Sequence, residues 1–259
     1  MALRTFVYTF ESPVTLAVAR RLAGSGKISG VILQRPMTRT SKVAFLRRRL
    51  VRYGPFRVAN ELLFQLVYAA FLRRADDRLR RGLPLDGASK AALRSAVNVF
   101  EVDTLNDAGG RALLARLKPD LVVMMSREML RADVLAIPPL GFVGCHPGIL
   151  PDYRGVYAPF WARRDGRIDK IGLTIYRANG GVDTGPLIAE RVIAPRFPVR
   201  HFKVESDRLL IEGAQDLVDV IGRAERGPLE TYTKPEASSR LFSHVGLTHF
   251  VGALVRCSR

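Results

Sequence analysis

Short apolar runs, broken by glycine and proline turns and alternating with helix-period segments, set the rhythm of this chain. Arg4 to Phe10 reads as a strand of Val, Tyr, Thr and Phe. Glu11-Ser12-Pro13 then starts a helix, with Ser12 as N-cap and Pro13 in the first turn. Gly24-Ser25-Gly26 ends it, and Ile28 to Gln34 predicts a second strand, giving a βαβ unit. Val97 to Val102 predicts a strand and Leu105 to Leu117 a helix, with Leu113, Leu114 and Leu117 apolar. Leu121 to Met125 is nearly continuous in apolar residues, the pattern of a strand covered on both faces of a parallel sheet. Gly141 to Cys145 is a second such run. It stops at His146-Pro147-Gly148, because Pro cannot donate to a central ladder and Gly admits a sharp turn. Lys170 to Tyr176 predicts another strand, closed by the Asn179-Gly180-Gly181 turn. Thr174 and Tyr176 are expected to pack that strand. Val204 to Arg223 is amphipathic at helical period. The alternation predicts an α/β fold with a mostly parallel sheet.

One segment breaks the rhythm. From Met37 to about Ser95 the chain carries an apolar helix, Glu61 to Leu72, bracketed by arginines. Arg39 to Arg81 holds twelve Lys or Arg against three acids, a net of +9, within a whole-chain charge of +17. The apolar part is too short and interrupted to span a bilayer core of about 30 Å. Two readings stand: helices packed on the domain with a solvated basic face, or a surface that meets anionic lipid, a polyanion or a nucleotide-linked substrate. At 259 residues, 47% of them hydrophobic, the chain suffices for a large core and is not expected to be disordered. Two cysteines make no disulfide framework, and no signal peptide is apparent, so a cytoplasmic location is expected; on the second reading of segment 39–81, that segment adds contact with an anionic surface or peripheral contact with a membrane. No G-x-G-x-x-G supports a dinucleotide site. His201, His244 and His249 lack partners at metal-ligand spacing and read as surface or packing residues.

The chemistry converges on Gly141 to Ile188. In an open α/β sheet, ligands bind at the carboxyl ends of strands, where His146 falls. The short loop holding Asp183 can return a carboxylate over the same strand ends, so the two make a proton-handling pair. Cys145 points to the opposite face from its neighbours and reads as a core thiol. His146-Pro-Gly-Ile-Leu-Pro-Asp-Tyr-Arg-Gly155, then Trp161-Ala162, Gly172-Leu-Thr-Ile175 and Val182-Asp-Thr-Gly-Pro186 resemble the formyltransferase family, which includes glycinamide ribonucleotide, methionyl-tRNA and amino-sugar N-formyltransferases. The resemblance is clear from Pro119 to Ile193. It implies a Rossmann-like sheet with helices on both faces, carrying the basic helical segment as an insert. It further implies 10-formyltetrahydrofolate as formyl donor and a primary amine as acceptor. His146 and Asp183 are the implied catalytic residues. Met124, Met125, Leu130, Val182 and Asp183 are the implied folate-binding residues, and Tyr153, Arg154 and Gly155 the implied substrate loop. Met124 and Met125 read equally well as core, and Arg154 as a loop pin.

The family's Asn, two residues before the His, is Gly144 here. Residues 144 and 146 face one side of the strand, so Gly144 is expected to leave a gap that an Asn would fill without disturbing the fold. Residues 1–203 are expected to form the Rossmann-like domain, with the insert at 37–95. Residues 204–259 are expected to be a C-terminal helix and tail, since the 64 residues after Pro195 are too few for a separate barrel. A small amine, on an amino acid or a nucleotide-linked amino sugar, suits this chain as acceptor. The alternatives are a binding or scaffold protein on the same fold, and hydrolysis of the formyl donor.

Overall fold

The computed structural model describes residues 3–36, 39–85, 87–126, 128–235 and 239–257, and the backbone alone for 39–42. The expected start of the insert, at residue 37, lies outside the described residues. The chain opens with β1 (Thr5–Phe10), α1 (Pro13–Gly24) and β2 (Gly30–Gln34). The Ser12 hydroxyl accepts from the Thr15 amide at 3.2 Å, satisfying one of the orphan donors at the helix start. The insert follows as α2 (Arg39–Tyr53), α3 (Pro55–Val67), a π turn at Tyr68–Leu72, α4 (Arg73–Arg81) and α5 (Lys90–Ala96). Next come β3 (Asn98–Val102), α6 (Ala108–Leu117), β4 (Leu121–Met125), α7 (Ala132–Leu135), β5 (Phe142–His146), β6 (Tyr153–Gly155), α8 (Ala158–Arg164), β7 (Gly172–Arg177) and β8 (Leu187–Val192). The long α9 (Phe202–Arg226), β9 (Arg240–Phe242) and α10 (Leu247–Cys257) complete the described chain.

Seven strands form one sheet in the order β3-β2-β1-β4-β5-β7-β8. The pairs from β3 to β5 are parallel, and β7 is antiparallel to both β5 and β8. The order reverses between β1 and β4, the kind of switch point at whose carboxyl ends ligands bind in open α/β sheets. Val7, Leu33, Val123 and Val143 point to one face, where Leu16, Leu22, Leu217 and Ile221 of α1 and α9 cover them. Tyr8, Ile32, Val122 and Phe142 share a second apolar cluster with Leu114 of α6 and Val134 of α7. The fold is therefore the expected Rossmann-like one, with helices on both faces.

Three placements sharpen the sequence expectation. The division at 203/204 coincides with the first turn of α9, whose buried residues close the main core, so no separate packed unit begins there. The tail is also more than a tail: β9 pairs in parallel with β6, the loop strand beside the expected site. His201, expected as a surface or packing residue, packs in the interior. It is buried, and its Nδ1 lies 2.6 Å from the fully buried Asp76 of α4, tying the insert to the start of α9.

Candidate active site

β5 delivers His146 to the carboxyl end of the sheet, where only 4% of it remains exposed. Gly148 lets the chain fold tightly back: a Cβ there would lie 2.3 Å from the Ala158 Cβ and 3.0 Å from the ring's Nε2. Nε2 sits 2.7 Å from the Tyr153 carbonyl oxygen. A carbonyl can only accept, so Nε2 carries the hydrogen. The other nitrogen, Nδ1, faces Asp183, with Oδ2 at 3.5 Å. Asp183 adopts φ 51°, a left-handed conformation that Asp tolerates better than most residues. Its carboxylate is held from two other sides. The Gly155 amide donates to Oδ2 at 2.8 Å, and the Tyr176 hydroxyl donates to Oδ1 at 2.8 Å. The expected pair, 37 positions apart in the chain, thus meets between two strand ends and a loop amide.

Tyr176 was expected only to pack its strand, and Gly144 to leave a gap; the structure corrects both. In the antiparallel register Gly144 lies opposite Tyr176, and the phenol crosses the space an amide would take. A Cβ on residue 144 would fall 2.5 Å from the Tyr176 Cζ and 2.8 Å from its oxygen. An Asn at 144 therefore cannot enter without moving the ring. Burial first, and then the Asp183 charge, push the Tyr176 hydroxyl well above its ordinary range, keeping it protonated as a donor. The space beside residue 144 thus holds a hydrogen-bond donor from the neighbouring strand, and that donor is directed at the Asp183 carboxylate. A glycine facing a large aromatic is a readable signal only once the register is known, and sequence periodicity does not give register between distant strands.

The remaining site candidates divide by face. Met124 pairs with Gly144 in register, so it shares the His146 side of the sheet. Met125 lies in the opposite core with Val123 and Leu33, and Leu130 packs beneath Tyr8 and Leu105, both buried. Val182 is half-buried beside Asp183 in sequence. Tyr153 points its ring into the aromatic core, stacked on Phe242 at 5.4 Å, and only its carbonyl meets the His. Arg154 has a buried Nε without a hydrogen-bond partner among the described residues, and Gly155 contributes its amide. Cys145 is a core thiol as expected, pushed up to about 12 by burial and then by the Asp216 charge. A polar cluster that sequence reasoning missed lies beside β1 and β4. There the Glu128 carboxylate accepts from the Tyr8 and Thr104 hydroxyls and, at 2.9 Å, from the Asn106 amide. A cavity of about 280 Å³ lies instead by α8 and the tail, lined by Arg57, Trp161, Arg164, Phe242 and His249.

A mostly parallel sheet with a His at the end of β5 and an Asp on the returning loop makes a Rossmann-like fold with its candidate site at the strand ends. Residues 78–196 match the formyl transferase family. Methionyl-tRNA formyltransferase of Roseiflexus sp. (strain RS-1) is 40% identical over 141 residues, which is 54% of this chain and 43% of that protein. The chain thus spans less than half the length of this curated relative. Among solved structures, a sugar N-formyltransferase from Shewanella sp FDAARGOS_354 superposes with a TM-score of 0.57 at 10% identity, over 99% of this chain and 88% of that one. Glycinamide ribonucleotide transformylase 1 from Symbiobacterium toebii superposes at 0.53 and 19% identity, over 85% of each chain. Over residues 78–196 the sequence is thus similar to the formyl transferase family, and over most of its length the chain shares the fold of these structures.

Proposed function

We propose that the protein transfers a formyl group from 10-formyltetrahydrofolate to the primary amine of a small acceptor. The acceptor class read here is an amino acid or an amino sugar on a nucleotide carrier. One observation carries the reading: His146 and Asp183 meet at 3.5 Å, with Tyr176 and Gly155 holding the carboxylate. The donor supplies the formyl carbon. The acceptor nitrogen forms the new C–N bond as the donor's C–N bond breaks, and one proton passes from the amine to the departing nitrogen. His146 donates toward the formyl oxygen, where charge develops. Asp183 orients the ring and relays the amine's proton. Both ring nitrogens are engaged, so donation to a substrate oxygen requires the loop to release the Tyr153 carbonyl from Nε2. Met124, on the His146 side, and Val182, beside Asp183 in the chain, are the sequence-derived folate contacts compatible with that site. Met125 and Leu130 serve as core. The basic segment 39–81 is read as contact with an anionic partner, and the protein as cytoplasmic.

The test is incubation with formyl-labelled donor and a panel of nucleotide-linked amino sugars and amino acids. Label is expected on an amine. His146→Ala and Asp183→Asn should each lower kcat at least about a hundredfold, the scale of one lost stabilising donor, with unchanged circular dichroism. Label appearing only as formate would establish hydrolysis instead, and no release would favour a binding protein. Near-full rate in either variant would remove the assigned roles.

A further inference from the structure

Helix α3 is apolar on two sides, and only one of them is covered. Val58, Phe64 and the following Tyr68 turn inward, with Phe64 5.0 Å from Phe250 and 5.9 Å from Phe202. On the opposite side Phe56, Ala59, Leu62, Leu63 and Leu66 recur at helical spacing, all exposed and without a charge among them. Phe56 is 91% exposed and Leu66 68%. Phe71, in the π turn, and Val51 on α2 are also exposed, at 77% and 84%. A soluble monomer rarely leaves an apolar helix face this exposed without a partner.

The charges around this surface select the partner. The segment's three acids are already engaged: Glu61 with Arg49 and Arg57, Asp76 with His201, and Asp77 with Arg73 and Arg80. Arg47, Arg48, Arg52, Arg74, Arg78 and Arg81 form no ion pair among the described residues. A second copy of the chain would bring two arginine-rich borders together, and like charges repel. A nucleic acid would engage the arginines and could stack on Phe56 or Phe71, but it would leave Leu62, Leu63, Leu66 and Val51 wet, since Leu and Val offer neither stacking planes nor hydrogen bonds. An anionic bilayer satisfies both parts, with headgroups at the arginines and acyl chains at the apolar face. Among the described residues no helix is long and apolar enough to cross a membrane. We propose that α2 and α3 dock the protein on an anionic lipid surface, lying in its plane with Phe56, Leu62 and Leu66 inserted.

This deepens the anionic-contact reading of segment 39–81 and is independent of formyl transfer. Flotation of the full chain with vesicles tests it, comparing phosphatidylcholine alone with a phosphatidylcholine–phosphatidylglycerol mixture at low and high salt. Binding is expected on the anionic vesicles, with little on phosphatidylcholine. An Arg47→Gln/Arg48→Gln/Arg52→Gln variant should bind on the order of a hundredfold more weakly, at about tenfold per 1.4 kcal/mol and about 1 kcal/mol per cation. A Phe56→Ser/Leu62→Ser/Leu66→Ser variant should lose the binding that survives high salt, while melting with the wild type because those side chains are exposed. Equal flotation of all three proteins would overturn the proposal. So would an absence of vesicle binding, whether the serine variant dissolves a dimer seen by sedimentation velocity or the arginines hold only heparin or RNA. Vesicle binding without formyl transfer, or the reverse, would separate the two readings.

Discussion

At the scale of single residues, the exchange between positions 144 and 176 decides how the site is built. Gly144 has no side chain because Tyr176 occupies its space, and the phenol supplies a hydrogen bond where a strand neighbour could have offered an amide. The pair should therefore behave as a unit. Gly144→Asn alone is expected to destabilise the fold by about 2 kcal/mol through overpacking. Tyr176→Ala should open the space. Gly144→Asn/Tyr176→Ala should then be more stable than the two single effects added together, by on the order of 1–3 kcal/mol. Urea titration of the four proteins measures that coupling, and strict additivity would mean that the two sites do not touch. Tyr176→Phe keeps the ring and removes only the donor to Asp183. It should lower kcat about 10- to 100-fold, as loss of an orienting partner does, with KM for the acceptor little changed.

At the scale of elements, the seam between the insert and α9 contains a titrating amine. Lys203, in the first turn of α9, lies 3.3 Å from the centre of the Tyr68 ring and 5.6 Å from that of Phe64. Burial pulls its ammonium down from 10.5 to about 8, opposed by the Asp76 charge. The unfolded chain holds this proton up to about pH 10.5, whereas the folded one releases it from about pH 8. Between those values the unfolded state binds more protons, so this residue makes stability rise with pH across that window. The wild type should gain Tm relative to Lys203→Met between pH 7 and pH 10, because the difference isolates this group from the tyrosines. A Tm difference that stays constant over the window would place the amine in water.

At the scale of the molecule, two cores share the work. One surrounds the sheet. The other is aromatic and lies between α3, α8, the start of α9 and α10, with Phe64, Trp161, Phe202 and Phe250 buried together. Tyr153 belongs to this second core, and its carbonyl holds His146. The insert and the tail thus support the loop that covers the site, rather than merely decorating the sheet. Phe64→Ala removes a fully buried ring and should cost about 4 kcal/mol in urea unfolding. A loss below 1 kcal/mol would mean that the insert is not coupled to the domain.

The elements around the sheet were legible because local chemistry and burial agree there. Leu121 to Met125 is apolar throughout as it is covered on both faces, and Ser12 caps α1 through a bond to its own neighbour. The His-Pro-Gly stop and the glycine-flanked Asp183 were legible for the same reason, since turns announce themselves in local composition. What tertiary structure alone decided is everything that depends on register and long-range packing. The opposition of Gly144 and Tyr176, the turning of the Tyr153 ring away from the site and the burial of His201 against Asp76 each join strands or helices distant in the chain. The same holds for α3: its sequence is apolar on two sides, and only the packing of α9 and α10 on one of them determines which face is left for a partner.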